Sequence, residues 1–354
     1  MLVDLPMRAR ARGEDIRRYI LDNIDKHPTD INRLTATHFK ITRQAVNKHL
    51  QRLTAENAVS ETGKTRNRAY KLSPQSEWNK EYRITTDLAE DLTWRTDIQP
   101  IIGQIPGNVL DIWHYGFTEM FNNAIDHSGG ADILVQVRKT AIDTEMLISD
   151  NGVGIFRKIQ TAMNLLDERH AILELSKGKL TTDPSNHSGK GIFFTSRMFD
   201  SFDILSGDIY FCYLFGKPED WILEREQFVK GTAVWMKLNN HTARTTKKIF
   251  DQYSSGDDYG FNKTVVPVKL AQYGNDKLIS RSQAKRLLAR VELFKVVMFD
   301  FKDVDSIGQA FGDEIFRVFA RKYPEIDLHT VHTNPEVKRM IDRAKSGATA
   351  EPGV

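Results

Sequence analysis

The stretch FTEMFNNAIDHSGG, residues 117–130, sets a carboxylate, two adjacent asparagines, an aspartate and a histidine within nine positions. Glu119, Asn123 and His127 recur at steps of four, so on a helix they stand in one line, with Asn122 and Asp126 beside it. Such a line offers an amide oxygen for a hard cation and a carboxylate able to take a proton from water or a hydroxyl. Phe117, Met120, Phe121, Ala124 and Ile125 form the complementary apolar stripe that would hold it against a core. A helical Glu and Asn four apart are by default a solvated face. Asparagine, however, competes for backbone hydrogen bonds, so two in a row on a helix point to a task other than helix formation.

Three more punctuated stretches follow in order. ISDNGVGI ends a strand at Asp150 and places Gly152 and Gly154 in the turn after it. SGKGIFF sets Ser188, Gly189, Lys190 and Gly191 at the start of a helix, where free N–H groups suit phosphates. KGTAVWMKL opens a strand with Gly231 and Thr232. Each alone is weak, since Asp-Asn-Gly is commonly a plain hairpin turn. Together, EMFNNAIDH, DNGVG, GKG and GT resemble the four ordered boxes of the GHKL ATPase superfamily, over about residues 90–240. That group includes DNA gyrase, the heat-shock chaperone ATPase, mismatch-repair ATPases, histidine kinases and the anti-sigma serine kinases.

The resemblance implies ATP and Mg²⁺ as ligands and assigns roles. Asp150 would accept the exocyclic N–H of adenine, which guanine replaces with a carbonyl. Gly152 and Gly154 would let the backbone pass close to the base, and the Thr232 hydroxyl would complete the adenine contact. Asn123 would be the Mg²⁺ ligand, with Asn122 ranked second and Asp126 counted among the nucleotide-binding residues. Ser188, Gly189, Lys190 and Gly191 would cradle the phosphates, and Glu119 would serve the attacking water. Residues from about 165 to 188 would form a lid. Residues 76–110 hold no histidine that could accept a phosphoryl group, which argues against the two-component kinase branch.

Other elements must position and exploit this site. Near the N-terminus, residues 14–26, a helix capped by Asp30 and a helix capped by Thr42 precede the alternating VSETGKTRNRAYKL. Arg43, Gln44, Asn47, Lys48 and Gln51 face outward on the third helix, and Lys64, Arg66 and Arg68 surround the hairpin tip. This order resembles a winged helix-turn-helix, which implies double-stranded DNA as the partner. Lys40 stands at the turn where that family usually has glycine or a small residue, a costlier choice for a left-handed backbone. The charge distribution agrees: residues 1–75 hold 15 Lys/Arg against 8 Asp/Glu, while the rest of the chain is net −4.

At the other end, VVMFDFKDVDSIGQAFGDEIFRVF resembles a STAS-like domain, related to anti-anti-sigma factors, which implies a protein partner. Gln309 and Ala310 occupy the positions where those relatives carry a phosphorylatable serine, and Ser306 is displaced toward the strand. The single cysteine, Cys212, excludes an intrachain disulfide and points to a reducing, cytoplasmic setting. No apolar run approaches the roughly 18 residues of a membrane helix.

The chain is therefore expected to be α+β and multidomain. A winged helix (1–75), a linker (76–88), a GHKL α/β sandwich with helices on one face of a mixed sheet (89–242), a small STAS-like α/β domain (263–343) and a flexible tail (344–354) would follow in order. The expected function is an ATP-hydrolysing, DNA-binding regulator whose lid closure controls homodimer, partner or DNA interaction. A partner-switching serine/threonine protein kinase and a DNA-processing ATPase subunit are the alternatives.

Overall fold

A computed structural model describes residues 5–64, 67–180, 189–217, 221–255, 258–272 and 277–346. The N-terminal unit comprises α1 (Leu5–Asn23), α2 (Ile31–Phe39), α3 (Arg43–Ala55) and an antiparallel hairpin of β1 (Val59–Thr62) and β2 (Ala69–Leu72). Helix α1 starts well before Glu14 and stops at Asn23, so the first helix is displaced from the predicted 14–26. Thr42 caps α3 by accepting from the Ala45 N–H at 3.2 Å, as predicted. Asp30 makes no such cap: its carboxylate is taken by His27 (3.1 Å) and Arg33 (2.9 Å). Lys40 is left-handed (φ 52°, ψ 48°), and its N–H closes the end of α2, so the chain accepts a lysine at this strained turn. Ile16, Ile20, Ile24, Val46, Leu50 and Val59 form a core separate from the rest, which also takes in Ile142.

The middle unit is a five-stranded sheet in the order β3-β4-β5-β7-β6, built from β3 (Ser76–Arg83), β4 (Asp132–Lys139), β5 (Asp143–Asp150), β6 (Ser201–Leu214) and β7 (Trp221–Asn239). Two expectations are corrected here. Residues 76–83, predicted as linker, form edge strand β3, paired with β4 from Ser76↔Lys139 to Arg83↔Asp132. Every pairing in the sheet is antiparallel, not mixed. Neighbours β4–β5 and β6–β7 are sequence-consecutive, and β7 runs opposite to β5, so no parallel crossover arises.

One face of this sheet is covered by helices. A broken helix, α4 (Glu90–Thr93), a π-turn at Trp94–Ile98 and α5 (Gln99–Ile102), leads to α6 (Gly107–His127). Then come α7 (Ile155–Met163), α8 (Arg169–Lys177), α9 (Gly191–Met198) and, after the sheet, α10 (Thr246–Tyr253). Strand residues Ile133, Val135, Met146, Ile148, Val234 and Met236 are buried with Trp113, Phe117 and Phe121 of α6. Alternate residues such as Gln136 and Trp235 face away and are exposed.

A short ladder, β8 (Ser254–Ser255) with β9 (Asp258–Phe261), leads to the C-terminal unit. There β10 (Lys263–Pro267), β11 (Val296–Asp300) and β12 (Asp327–Val331) form a parallel sheet. Around it lie α11 (Arg281–Leu288), α12 (Gln309–Asp313) with a π-turn at Glu314–Phe319, α13 (Ala320–Lys322) and α14 (Pro335–Ser346). Residues 344–346, predicted as tail, are the last turn of α14, held by buried Ala344. The middle and C-terminal units share one continuous core from Tyr82 to Ala344, joined by aromatic contacts such as the tilted pair Phe193–Phe261 (4.6 Å) and the edge-to-face pair Phe261–Phe294 (5.3 Å). Among the described residues no helix is long and apolar enough to cross a membrane.

Candidate functional site

The four punctuated stretches of the middle unit come together around one cavity of about 330 Å³ between α6, α7, α9 and the sheet. Its walls include Glu119, Asn122, Asn123, His127, Asp150, Gly154, Gly189, Gly191 and Thr232. Strand pairing explains the floor: Asp150 ends β5 directly opposite Thr232 of β7. The Asp150 carboxylate is buried, and its Oδ1 accepts from the backbone N–H of Gly152 (2.9 Å) and Thr232 (3.3 Å). Burial pushes the carboxyl's pKa up, and those two N–H groups pull the other way.

Glycines are required by contact. A Cβ on Gly152 would lie 2.1 Å from the Ser128 carbonyl oxygen, so only hydrogen lets the turn pass beneath the end of α6. Gly154 has φ +96° and begins α7, whose Ile155 N–H donates to the Thr232 hydroxyl oxygen at 3.0 Å. The Thr232 hydroxyl thus keeps its own proton for a further partner.

At the opposite end, Glu119 is seated against the first residue of α9: a Cβ on Gly191 would fall 2.0 Å from Glu119 Oε2. The carboxylate accepts a hydrogen bond from Tyr115, one turn earlier on α6. Burial, then the Glu119 charge, drive the Tyr115 hydroxyl's ionisation well above its ordinary range, so it remains a donor. Gly189 (φ +65°) receives the Leu180 N–H on its carbonyl at 3.0 Å, which pins the two ends of the intervening stretch together. Lys190 is the N-cap residue of α9, and its cation, after burial, lowers the pKa of Lys179 nearby. Lys190 thus sets a positive charge at the start of α9, while the Lys179 ammonium is bound to the Leu293 carbonyl at 2.7 Å.

Not every predicted residue takes part. Asp126 is exposed and does not line the cavity. Gly152 is buried beneath Ser128 and shapes the turn without facing the cavity. Ser188 and Arg66 lie outside the described residues. The expected lid of 165–188 is corrected in its first half: 169–177 is helix α8, with Ala171 and Ile172 wholly buried. Its apolar AIL run sits between polar flanks, which read as loop.

Sequence reasoning missed Tyr115, Lys158, Leu175 and Leu180. Lys158 lines the cavity and donates to the His127 carbonyl at 2.6 Å, satisfying the end of α6. Its place one turn into the helix after DNGVG was the available signal.

On the N-terminal unit, Arg43, Gln44, Asn47, Lys48 and Gln51 are exposed along α3, as are Lys64 and Arg68 at the hairpin. Arg68 pairs with Glu61 at 3.6 Å. A basic depression beside the start of α3 adds Arg17, His49 and Arg52 to Gln44 and Lys48.

A family model described as a STAS-like domain of unknown function (DUF4325) matches residues 283–338. The match runs from α11 into α14, through β11 and β12, so the chain carries a C-terminal STAS-like domain. No curated protein matches the chain.

Proposed function

We propose that this chain is a Mg²⁺-dependent ATPase of the GHKL type that regulates DNA through its N-terminal helices and a protein partner or second copy through its STAS-like domain. The observation that carries this reading is the pairing, across one cavity, of buried Asp150 beside Thr232 with Glu119 against Gly191. A buried carboxylate with acceptor capacity left over suits the amino group of adenine and rejects guanine, which presents a carbonyl there. The start of α9, with Lys190, suits the phosphates.

The cavity fits a metal-bound nucleotide by donor chemistry: the Asn123 amide on its wall offers a hard oxygen ligand. Mg²⁺ would therefore rely on the Asn123 amide and on phosphate oxygens, and when bound it neutralises phosphate charge. Asn122 also faces the cavity, a second amide for the same end. Glu119 takes the proton from water, and Tyr115 holds its carboxylate in line. Helix α8 itself belongs to the core, so it does not serve as a gate, and residues 181–188 of the expected lid lie outside the described residues.

The fate of the γ-phosphate tests this reading. Purified protein incubated with Mg²⁺ and radiolabelled ATP should release label as free phosphate. The STAS-like domain favours one second reading, a partner-switching serine/threonine kinase. Gln309 and Ala310 open α12 and offer no hydroxyl, while Ser306 lies before it and is half-buried. Stoichiometric label on Ser306, lost in Ser306→Ala, would replace the ATPase reading with an internal partner switch.

The DNA assignment rests on the exposed basic face of α3. In the full chain, Arg43→Ala and Lys48→Ala should each weaken duplex binding and lower the slope of log affinity against log salt by about 1. Anisotropy titrations across a salt series measure this, and a salt-insensitive affinity would remove DNA from the proposal.

A further inference from the structure

The segment Glu174–Leu180 has two sides. On one, Leu175 and Leu180 line the cavity. On the other, Glu174, Lys177, Gly178 and Lys179 are bound to the C-terminal unit by buried and partly buried charges. The Lys177 side chain is wholly buried, and its ammonium reaches Glu174 (2.7 Å) and the backbone carbonyls of Ala289 (2.8 Å) and Arg286 (3.3 Å), just where α11 ends. Arg290 reaches across from two residues past that helix end: one arm of its guanidinium pairs with Glu174 at 3.2 Å, and the other donates to the carbonyls of Gly178 and Lys179. Lys179 donates in turn to the Leu293 carbonyl at 2.7 Å, and Thr264 of β10 donates to the Lys177 carbonyl at 2.7 Å.

The buried Lys177 and Glu174 and the partly buried Arg290 are thus gathered with a ring of carbonyls from both units. Buried ions tolerate little displacement, because any partner withdrawn leaves a charge out of water. The backbone confirms how closely the segment is held: Gly178 (φ +82°) and Lys179 (φ +53°) are both left-handed, and a Cβ on Gly178 would lie 2.7 Å from the Phe261 ring. Arg290 itself is left-handed at φ +61°.

We propose that Arg290 is a positioning residue for the nucleotide cavity, through which the STAS-like domain sets the segment 177–180 that forms part of the cavity wall. The inference rests on the nucleotide reading of the cavity and names the regulator of that site as this chain's own C-terminal domain. Arg290 does not line the cavity and acts only through Glu174 and the carbonyls of the turn. If it biases a two-state segment, coupling must be reciprocal, and nucleotide must stabilise the Arg286–Phe294 stretch in return.

Amide hydrogen exchange of the full-length wild-type chain, with and without Mg²⁺ and a non-hydrolysable ATP analogue, tests this directly. The N–H groups of Ala289, Leu293 and Phe294 are hydrogen-bonded within that stretch and report its opening. Slower exchange both around Asp150 and over residues 286–294 is the expected result. Protection around Asp150 with no change at 286–294 would overturn the coupling while leaving the site intact. No protection anywhere would show that the analogue does not bind, and the nucleotide reading and this inference would fall together.

Arg290→Met, which keeps a flexible unbranched stem and removes the guanidinium fork, gives the second readout. With the wall segment correctly placed in only about a tenth of molecules, KM for ATP should rise about tenfold while kcat stays within about twofold, because Glu119 is untouched. An unchanged KM in this variant would overturn the positioning role, and the wild-type exchange experiment stands whether or not the variant folds.

Discussion

Glu119→Gln should keep ATP affinity within a few-fold of wild type and slow hydrolysis by about 100-fold or more, the scale expected for a positioned general base. The substitution is nearly isosteric, so the side chain still fits against Gly191, where no larger neighbour would be tolerated. The amide oxygen can still accept from Tyr115. What is lost is the ability to take a proton, and with it the negative charge beside the start of α9. Single-turnover hydrolysis with calorimetric binding on the same sample separates the two effects. A glutamine variant that turns over at the wild-type rate would remove Glu119 from the chemistry and assign the polar line of α6 to binding alone.

Asp150→Asn should act on affinity instead. The asparagine oxygen can keep both backbone bonds, from Gly152 and Thr232, so the turn after β5 should survive. Its amide, however, turns a donor toward the donor on adenine, and two buried donors are left facing each other. The cost is about 1–3 kcal/mol, seen as a weaker calorimetric Kd for ATP in a variant whose melting temperature is preserved. Acid should have the same effect on the wild type. Burial raises the Asp150 pKa, so the acceptor is charged and available above that pKa and is lost as pH falls through it. Binding of ATP that is equal in the two proteins, and flat on acidification, would place the adenine elsewhere.

Much of this was legible because local chemistry and topology agree. DNGVG and GT are read as turn and strand start, and antiparallel pairing then sets Asp150 opposite Thr232 without further instruction. The apolar stripe of FTEMFNNAI did bury Phe117, Met120, Phe121 and Ala124 while leaving Glu119 and Asn123 at the cavity. Strand β3 was hidden because an edge strand needs only one protected face: in SEWNKEYR only Tyr82 is buried, and the charges read as linker. Lys177 was hidden for another reason. A lysine after ILELS reads as surface, and its burial is made tolerable by Glu174 beside it together with carbonyls more than 100 residues away in the chain.

The core of the N-terminal unit includes Ile142, a residue from the turn between β4 and β5. A tenth of its surface or less is exposed, and Ala141 packs beside it. The basic helices are therefore plugged onto the sheet by a borrowed hydrophobe, much as a cap sits on a peg. A cut at residue 75 would strip that peg away and leave an apolar socket open on the fragment, prone to self-association. Likewise, a cut near residue 262 would split the Phe193–Phe261–Phe294 aromatic cluster. The working parts of this chain must be separated by point substitution in the intact protein, because its seams are not places where it can be divided.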